Sequence, residues 1–423
     1  MNYFEYRNGE MFAEGVPLKR LARQVGTPAY VYSLATLKRH FKVFDEAFAK
    51  TRHIVCFSVK ANSNLALLRA FAKQGSGFDI VSGGELFRAL KVGADPKKIV
   101  FSGVGKKKEE IEYALNAGIL MFNVESEHEL VALNEIAAGI GKRAPISLRV
   151  NPDVDPQTHP YISTGMKKAK FGVDIKKSLE TYKRAVLLKS VEVVGVDCHI
   201  GSQLTSITPF VDALAKVREY LDRVLAGEMK REGAQIRYLD LGGGLGINYH
   251  DETPPLPEEY AKAIIQGLEG LDITLILEPG RVIVGNAGIL LTEVQYIKET
   301  ETKKFVIVDG GMNDLIRPAL YGSYQAIQPV VENNAQKIIA DVVGPICESG
   351  DFFAKDREIP QPERGDLLAV MSAGAYGFTM ASNYNSHPKP PEVLVDGDRY
   401  YVVRKRESFE DLIRGEAIPS PLE

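Results

Sequence analysis

The feature that most constrains this chain is a rhythm. Short apolar, β-branched runs recur at 54–59, 78–81, 99–102, 119–124, 146–150, 193–199, 236–241 and 273–277. Each has the length of a strand and is too short for a buried helix. Segments of helical periodicity lie between them, at 33–49, 84–92, 107–117, 127–139 and 210–226. Strands that alternate with helices in this way predict a parallel sheet, and eight of them predict its closure as a TIM-type (β/α)8 barrel. An open doubly wound sheet is the alternative, and eight repeats favour closure. One connection breaks the rhythm: residues 151–173, rich in Pro, Asp, Gly and Lys. A loop that long is usually functional, and it is expected at the carboxyl end of the fifth strand, over the barrel mouth.

Beyond residue 280 the pattern changes. Runs of β type follow at 282–298, 304–309, 337–343, 366–371, 391–395 and 399–404, with turns at Asp309-Gly310-Gly311 and Asp396-Gly397-Asp398. They predict a mainly antiparallel β domain. The expected division is a barrel over 33–280 and a β-rich domain built from 1–32 and 281–423. A chain of 423 residues exceeds one ordinary core, in keeping with two domains. With 52 basic and 55 acidic residues the net charge is -3, which offers no electrostatic attraction to nucleic acid or a membrane surface. Three cysteines, an odd count, suit a reducing compartment. The first residues lack the pattern of a signal peptide and no run has the length of a membrane span, so a cytoplasmic protein is expected.

In such barrels ligands bind at the carboxyl ends of the strands, and four of these ends are chemically loaded. The first delivers Lys60, whose plain alternative is an ammonium that snorkels to solvent. The sixth ends in Cys198-His199-Ile200-Gly201-Ser202, the seventh in Gly242-Gly243-Gly244, the eighth in Glu278-Pro279-Gly280-Arg281. Consecutive glycines let a backbone approach an anion closely, and barrel phosphate sites are often built after strands seven and eight. No Gly-Lys-Ser/Thr follows, which excludes a nucleoside-triphosphate P-loop. A phosphate anchor opposite a lysine suits pyridoxal 5'-phosphate (PLP) held as a Schiff base. Its pyridine nitrogen needs an acidic partner, for which Glu278 is the candidate. Its face needs cover, for which the flat ring of His199 is suited, with a histidine that merely packs as the alternative.

Phe57-Ser58-Val59-Lys60-Ala61-Asn62, His199-Ile200-Gly201-Ser202-Gln203, Gly242-Gly243-Gly244-Leu245-Gly246, Glu278-Pro279-Gly280-Arg281 and Cys347-Glu348-Ser349-Gly350-Asp351 together resemble the diaminopimelate decarboxylases. These are PLP enzymes of the alanine-racemase-like barrel fold. The resemblance runs through the whole chain in order. It implies decarboxylation of meso-2,6-diaminopimelate to L-lysine and CO2, the last step of lysine biosynthesis, by a homodimer with shared active sites. It implies Lys60 as the Schiff-base lysine, His199 stacked on the ring and Glu278 on the ring nitrogen. Ser202, Gly242, Gly243, Gly244, Pro279, Gly280 and Arg281 would form the cofactor seat. Arg281, Arg317 and Tyr321 would grip the distal carboxylate, Glu348 would meet the distal ammonium, and Tyr376 would contact cofactor and substrate. Cys347 would protonate the product carbanion from the partner subunit. No metal is implied.

Two other readings share parts of this pattern. Decarboxylases of ornithine, lysine or arginine on the same fold typically carry Cys-Asp where this chain has Cys347-Glu348, and lack the arginine for a distal carboxylate. A small PLP-binding protein without catalysis would not need the β-rich domain that carries Cys347.

Overall fold

The computed structural model describes residues 2–154, 170–226, 236–333 and 335–422. Contacts divide the chain into two compact units, Lys38–Ile283 and a unit formed by Met1–Leu37 with Val284–Glu423.

Eight parallel strands form the barrel of the first unit: β1 (His53–Ser58), β2 (Gly77–Ile80), β3 (Ile99–Phe101), β4 (Met121–Val124), β5 (Ala144–Asn151), β6 (Val191–Asp197), β7 (Tyr238–Asp240) and β8 (Thr274–Leu277); the two-residue strand Val173–Asp174 pairs in parallel beside β5. Each pairs with the next, and β8 pairs back with β1, Leu275 opposite His53 and Leu277 opposite Val55. The barrel is closed, as the repeat count predicts. Helices follow the strands, among them Leu65–Lys73, Gly83–Lys91 and Glu127–Gly139. Their starts are written locally: the side chains of Asn64, Ser82 and Ser126 each accept an N–H of the first turn that would otherwise lack a partner. The long connection expected at 151–173 falls largely on residues 155–169, which lie outside the described residues.

Side chains two apart on a strand share a face, and this sets the barrel interior in layers. Cys56, Val100, Met121, Val194 and Ile276 meet in a small apolar cluster. Two residues further along four of these strands stand Ser58, Ser102, Asn123 and Glu278, all buried. Asp79, Ser147, Asp197 and Asp240 are buried on the neighbouring strands. The interior is therefore apolar below and polar toward the carboxyl ends.

The second unit is mainly antiparallel, as expected. Gly288–Glu299 is its central strand and pairs antiparallel with Lys304–Val308, Leu367–Val370 and Ala29–Ser33. Glu392–Asp396 joins Ala29–Ser33 in parallel and Lys337–Val343 joins Lys304–Val308 in parallel. A core of Val31, Ile289, Leu291, Val330, Ala369, Val393 and Val395 lies against this sheet. One expectation needs correction. The run 282–298 is not β throughout: Arg281–Val284 is a helical turn, Gly285–Ala287 a 3-10 turn, and the strand starts at Gly288. Val282, Ile283 and Val284 read as strand by composition, but β propensity is a weak preference that context overrides. Phe352–Pro360 is a strand that the apolar pattern did not single out.

Candidate active site

The strand ends of the barrel unit bring together Lys60, His199, Ser202, the glycine loop, Glu278, Pro279, Gly280 and Arg281. Lys60 sits in the 3-10 turn Val59–Ala61 directly after β1, and its Nζ lies 2.5 Å from Asp79 Oδ2 of β2. The Ser58 hydroxyl is within reach of Asp79 Oδ2 and of the Glu278 carbonyl, at 2.9 Å each.

Glu278 follows β8 and is buried. Asn123 Nδ2 and Ser102 Oγ donate to its Oε1, each at 3.3 Å, and Asn123 Nδ2 also lies 3.1 Å from Asp240 Oδ2. Ser147 Oγ in turn donates to Asn123 Oδ1 at 2.5 Å. Asp240 accepts the Gly242 N–H on its other oxygen, at 2.8 Å. Three acids in this layer titrate high. Burial, then the neighbouring Asp240 and Asp79, pushes Glu278 well above the ordinary carboxylate range. Burial and Asp197 push Asp240 up to about 7. Burial pushes Asp197 up as well, against the pull of Arg149. The cations that offset this charge are Lys60 and Arg149, whose guanidinium contacts Glu125 at 2.8 Å and Asp197 at 3.8 Å.

His199 follows β6. Gly243 N–H points at its Nδ1, 3.2 Å away. A nitrogen that accepts a hydrogen bond carries no proton, so the ring is neutral. Burial, then Arg149 and Lys60, agrees by pushing its pKa well below the usual histidine value. The glycines of the loop are required by close approach. A Cβ on Gly242 would fall 2.5 Å from His199 Nδ1, on Gly243 2.3 Å from the Glu278 carbonyl oxygen, and on Gly280 2.9 Å from Ala61 Cβ. Beside them the Arg281 guanidinium donates to Tyr249 Oη at 2.7 Å and Ser202 Oγ at 3.1 Å.

This donor set fits PLP. The barrel mouth offers an amine for a carbonyl and a guanidinium with hydroxyls and glycine backbone for a phosphate. Its floor of buried acids favours a cationic ring nitrogen, and Asp79 Oδ1 and Asp197 Oδ1 have no hydrogen-bond partner among the described residues. No cluster of potential metal ligands and no helix long and apolar enough to cross a membrane occurs among the described residues.

Arg317, Tyr321, Cys347, Glu348 and Tyr376 belong to the other unit. Arg317 is buried at the start of the helix Arg317–Tyr321, its guanidinium 5.8 Å from the Tyr321 ring centre. Cys347 is exposed in a tight turn: Ile346 N–H donates to Asp351 Oδ2, Cys347 N–H to Asn385 Oδ1 and Glu348 N–H to the Ile346 carbonyl, each at 2.7 Å. Tyr376 holds a left-handed backbone, with φ 55°. Sequence reasoning passed over Asp79, Asn123, Arg149, Asp240 and Asn385. The first four do carry a signal: each is a buried polar residue in a strand of the barrel.

Residues 34–285 match the family model described as the pyridoxal binding domain of pyridoxal-dependent decarboxylases. The chain is 55% identical over 418 residues to the diaminopimelate decarboxylase of Pseudomonas aeruginosa, covering 99% of both chains. It is similar to the structure of the Helicobacter pylori diaminopimelate decarboxylase complexed with L-lysine, at 45% identity and TM-score 0.90, over 94% of this chain and 98% of that one. The M. jannaschii diaminopimelate decarboxylase in complex with L-lysine aligns at 42% identity and TM-score 0.93, over 99% of each chain.

Proposed function

Because the chain belongs to the diaminopimelate decarboxylase family of pyridoxal-dependent decarboxylases, we propose that it converts meso-2,6-diaminopimelate to L-lysine and CO2. The observation that carries this reading is the joint placement of Lys60, Asp79, His199 and Glu278 at the strand ends of one closed barrel. PLP would be held covalently through Lys60 Nζ, at its phosphate by Ser202, Gly242, Gly243, Gly244, Gly280 and Arg281, and on its ring by His199 and Glu278. When bound, it supplies an electron sink for the pair left at Cα as CO2 departs.

The chain's own residues do the rest. Burial and the neighbouring acids raise Glu278, and its ionised form is the partner that a ring cation requires. Asn123 fixes the direction of that carboxyl by donating to Oε1. His199, neutral and held by the Gly243 N–H, presents a flat face that adds no charge. Tyr376 is assigned to both cofactor and substrate. The Cys347 thiol returns a proton to Cα, and we assign it to the partner subunit's site in a homodimer. Arg317 and Arg281 with Tyr321 take the distal carboxylate, where a guanidinium can pair through two parallel hydrogen bonds, and Glu348 takes the distal ammonium. Three free thiols, Cys56, Cys198 and Cys347, support a cytoplasmic site of action.

The test offers PLP-loaded protein meso-diaminopimelate, ornithine, lysine and arginine separately and measures CO2. Diaminopimelate alone should be turned over. Lysine lacks the distal carboxylate, so its binding would strip water from the arginines without pairing them, which supports discrimination of about 10⁴ or more. Arg317→Ala should raise KM for diaminopimelate far more than it alters the cofactor spectrum. Preference for ornithine or lysine would move the chain to the basic-amino-acid decarboxylases.

A further inference from the structure

The amine of Lys60 must be held somewhere whenever it is not covalently engaged, and the barrel provides one place. Asp79 stands on β2 directly opposite Ser58 in the β1–β2 register, and Lys60 lies two residues beyond Ser58. Its carboxylate is fully buried. Oδ2 lies 2.5 Å from Lys60 Nζ and 2.9 Å from Ser58 Oγ, and Oδ1 has no hydrogen-bond partner among the described residues. Lys60 is the one ion-pair partner of Asp79 among the described residues. Other titratable groups that sense Asp79 include, among the described residues, Glu278 after β8, Asp197 on β6, Cys56 on β1 and Glu85 on the helix after β2. None of them brings a positive charge. Withdrawing the ammonium would leave a buried carboxylate without a counter-charge, which is strongly unfavourable.

We propose that Asp79 is the positioning residue that stores the Lys60 amine as an ammonium and takes one proton from it when the amine must react. The proton passes from Nζ to Oδ2, atoms already in contact. The pair goes from ammonium and carboxylate to amine and acid, and no charge leaves the site. The reverse transfer captures the amine again once it is released. This deepens the assignment of Lys60 as the residue that carries the cofactor, and rests on it.

The test uses the full-length protein freed of cofactor. Lys60 is labelled with trinitrobenzenesulfonate, which attacks neutral amines, and the rate is read by peptide mapping across a range of pH. In the unaltered protein the labelling midpoint should lie above that of the surface lysines. Asp79→Asn should label Lys60 faster by at least about tenfold at a fixed pH near 8, while Asp79→Glu, which keeps the charge, should stay close to the parent. An unchanged rate in Asp79→Asn, or equal acceleration in both variants, overturns the proposal. Should Asp79→Asn not fold, the parent alone decides: a midpoint at or below that of the surface lysines also overturns it. The underlying assignment fails separately, if borohydride reduction of the loaded protein places the pyridoxyl group on another lysine.

Discussion

Gly243→Ala tests the geometry of the glycine loop with one methyl group. A Cβ there would sit 2.3 Å from the Glu278 carbonyl oxygen and 3.2 Å from its carbon. Restoring van der Waals separation needs about 1 Å of movement. Neither partner is a side chain that can swing aside. Both are backbone, tied together by the Glu278 N–H to Gly242 carbonyl bond at 2.8 Å and the Leu241 N–H to Ile276 carbonyl bond at 3.0 Å. Overpacking costs about 1–3 kcal/mol where neighbours can adjust, so the upper end applies, about 3 kcal/mol. In a unit of this size that lowers the melting temperature by about 6–12 °C. Glu278 would be displaced with its carbonyl, and a misplacement of about 1 Å can cost about 10²-fold in turnover. Gly139→Ala is the internal control: it ends the helix Glu127–Gly139 and a Cβ meets nothing within 4 Å. That variant should gain about 0.4–1 kcal/mol. Thermal melts followed by circular dichroism, with CO2 release, give both readings. A Gly243→Ala protein that melts and turns over like the parent would refute the close approach.

Glu278→Gln should cut turnover by orders of magnitude and leave the cofactor's absorbance largely in place; a rate near the parent's would mean that another group serves the ring nitrogen. Stability of the cofactor-free protein should depend on the buried acids. Asp240 is raised to about 7 in the fold, so its contribution is fully present below the unfolded value near ~4 and is lost as pH rises through ~7. The melting temperature of the parent relative to Asp240→Asn should therefore fall between about pH 4.5 and 7.5, and parallel curves would contradict the assignment. Mixing inactive Lys60→Ala and Cys347→Ala subunits should restore part of the activity if Cys347 acts across a dimer; no recovery, with exchange of subunits demonstrated, would place both residues in one subunit's site.

The barrel was legible because its signal is periodic and repeated. All eight strands lie where the β-branched runs predict, with ends shifted by a residue or two, where hydrogen bonding rather than composition decides. The proposed seat residues stand out in the sequence because they lie just past strand ends, His199 two residues beyond Asp197 and Glu278 directly after Leu277. What stayed hidden is the polar layer beneath. Asn123 reaches Asp240 and Glu278, 117 and 155 residues away, and one polar residue in a buried strand says nothing about which distant partner satisfies it. The strand Phe352–Pro360 was hidden differently: Lys355, Asp356, Arg357 and Glu358 interrupt its apolar pattern, and it lies at the sheet's edge, where one side needs no apolar cover.

Because β8 pairs with β1, the site exists only in the closed barrel. Ser58 donates its N–H to the Pro279 carbonyl and its hydroxyl is within reach of the Glu278 carbonyl, so residues about 220 positions apart meet at one seam. Until that seam zips, Lys60 has neither Glu278 nor the Gly280 turn beside it, however well the first seven strands have formed. A nascent chain would have no complete seat before its two-hundred-and-eightieth residue is free to dock. A ligand that contacts both edges binds only the zipped form and stabilises it by mass action. The cofactor would then act as the clasp of the ring.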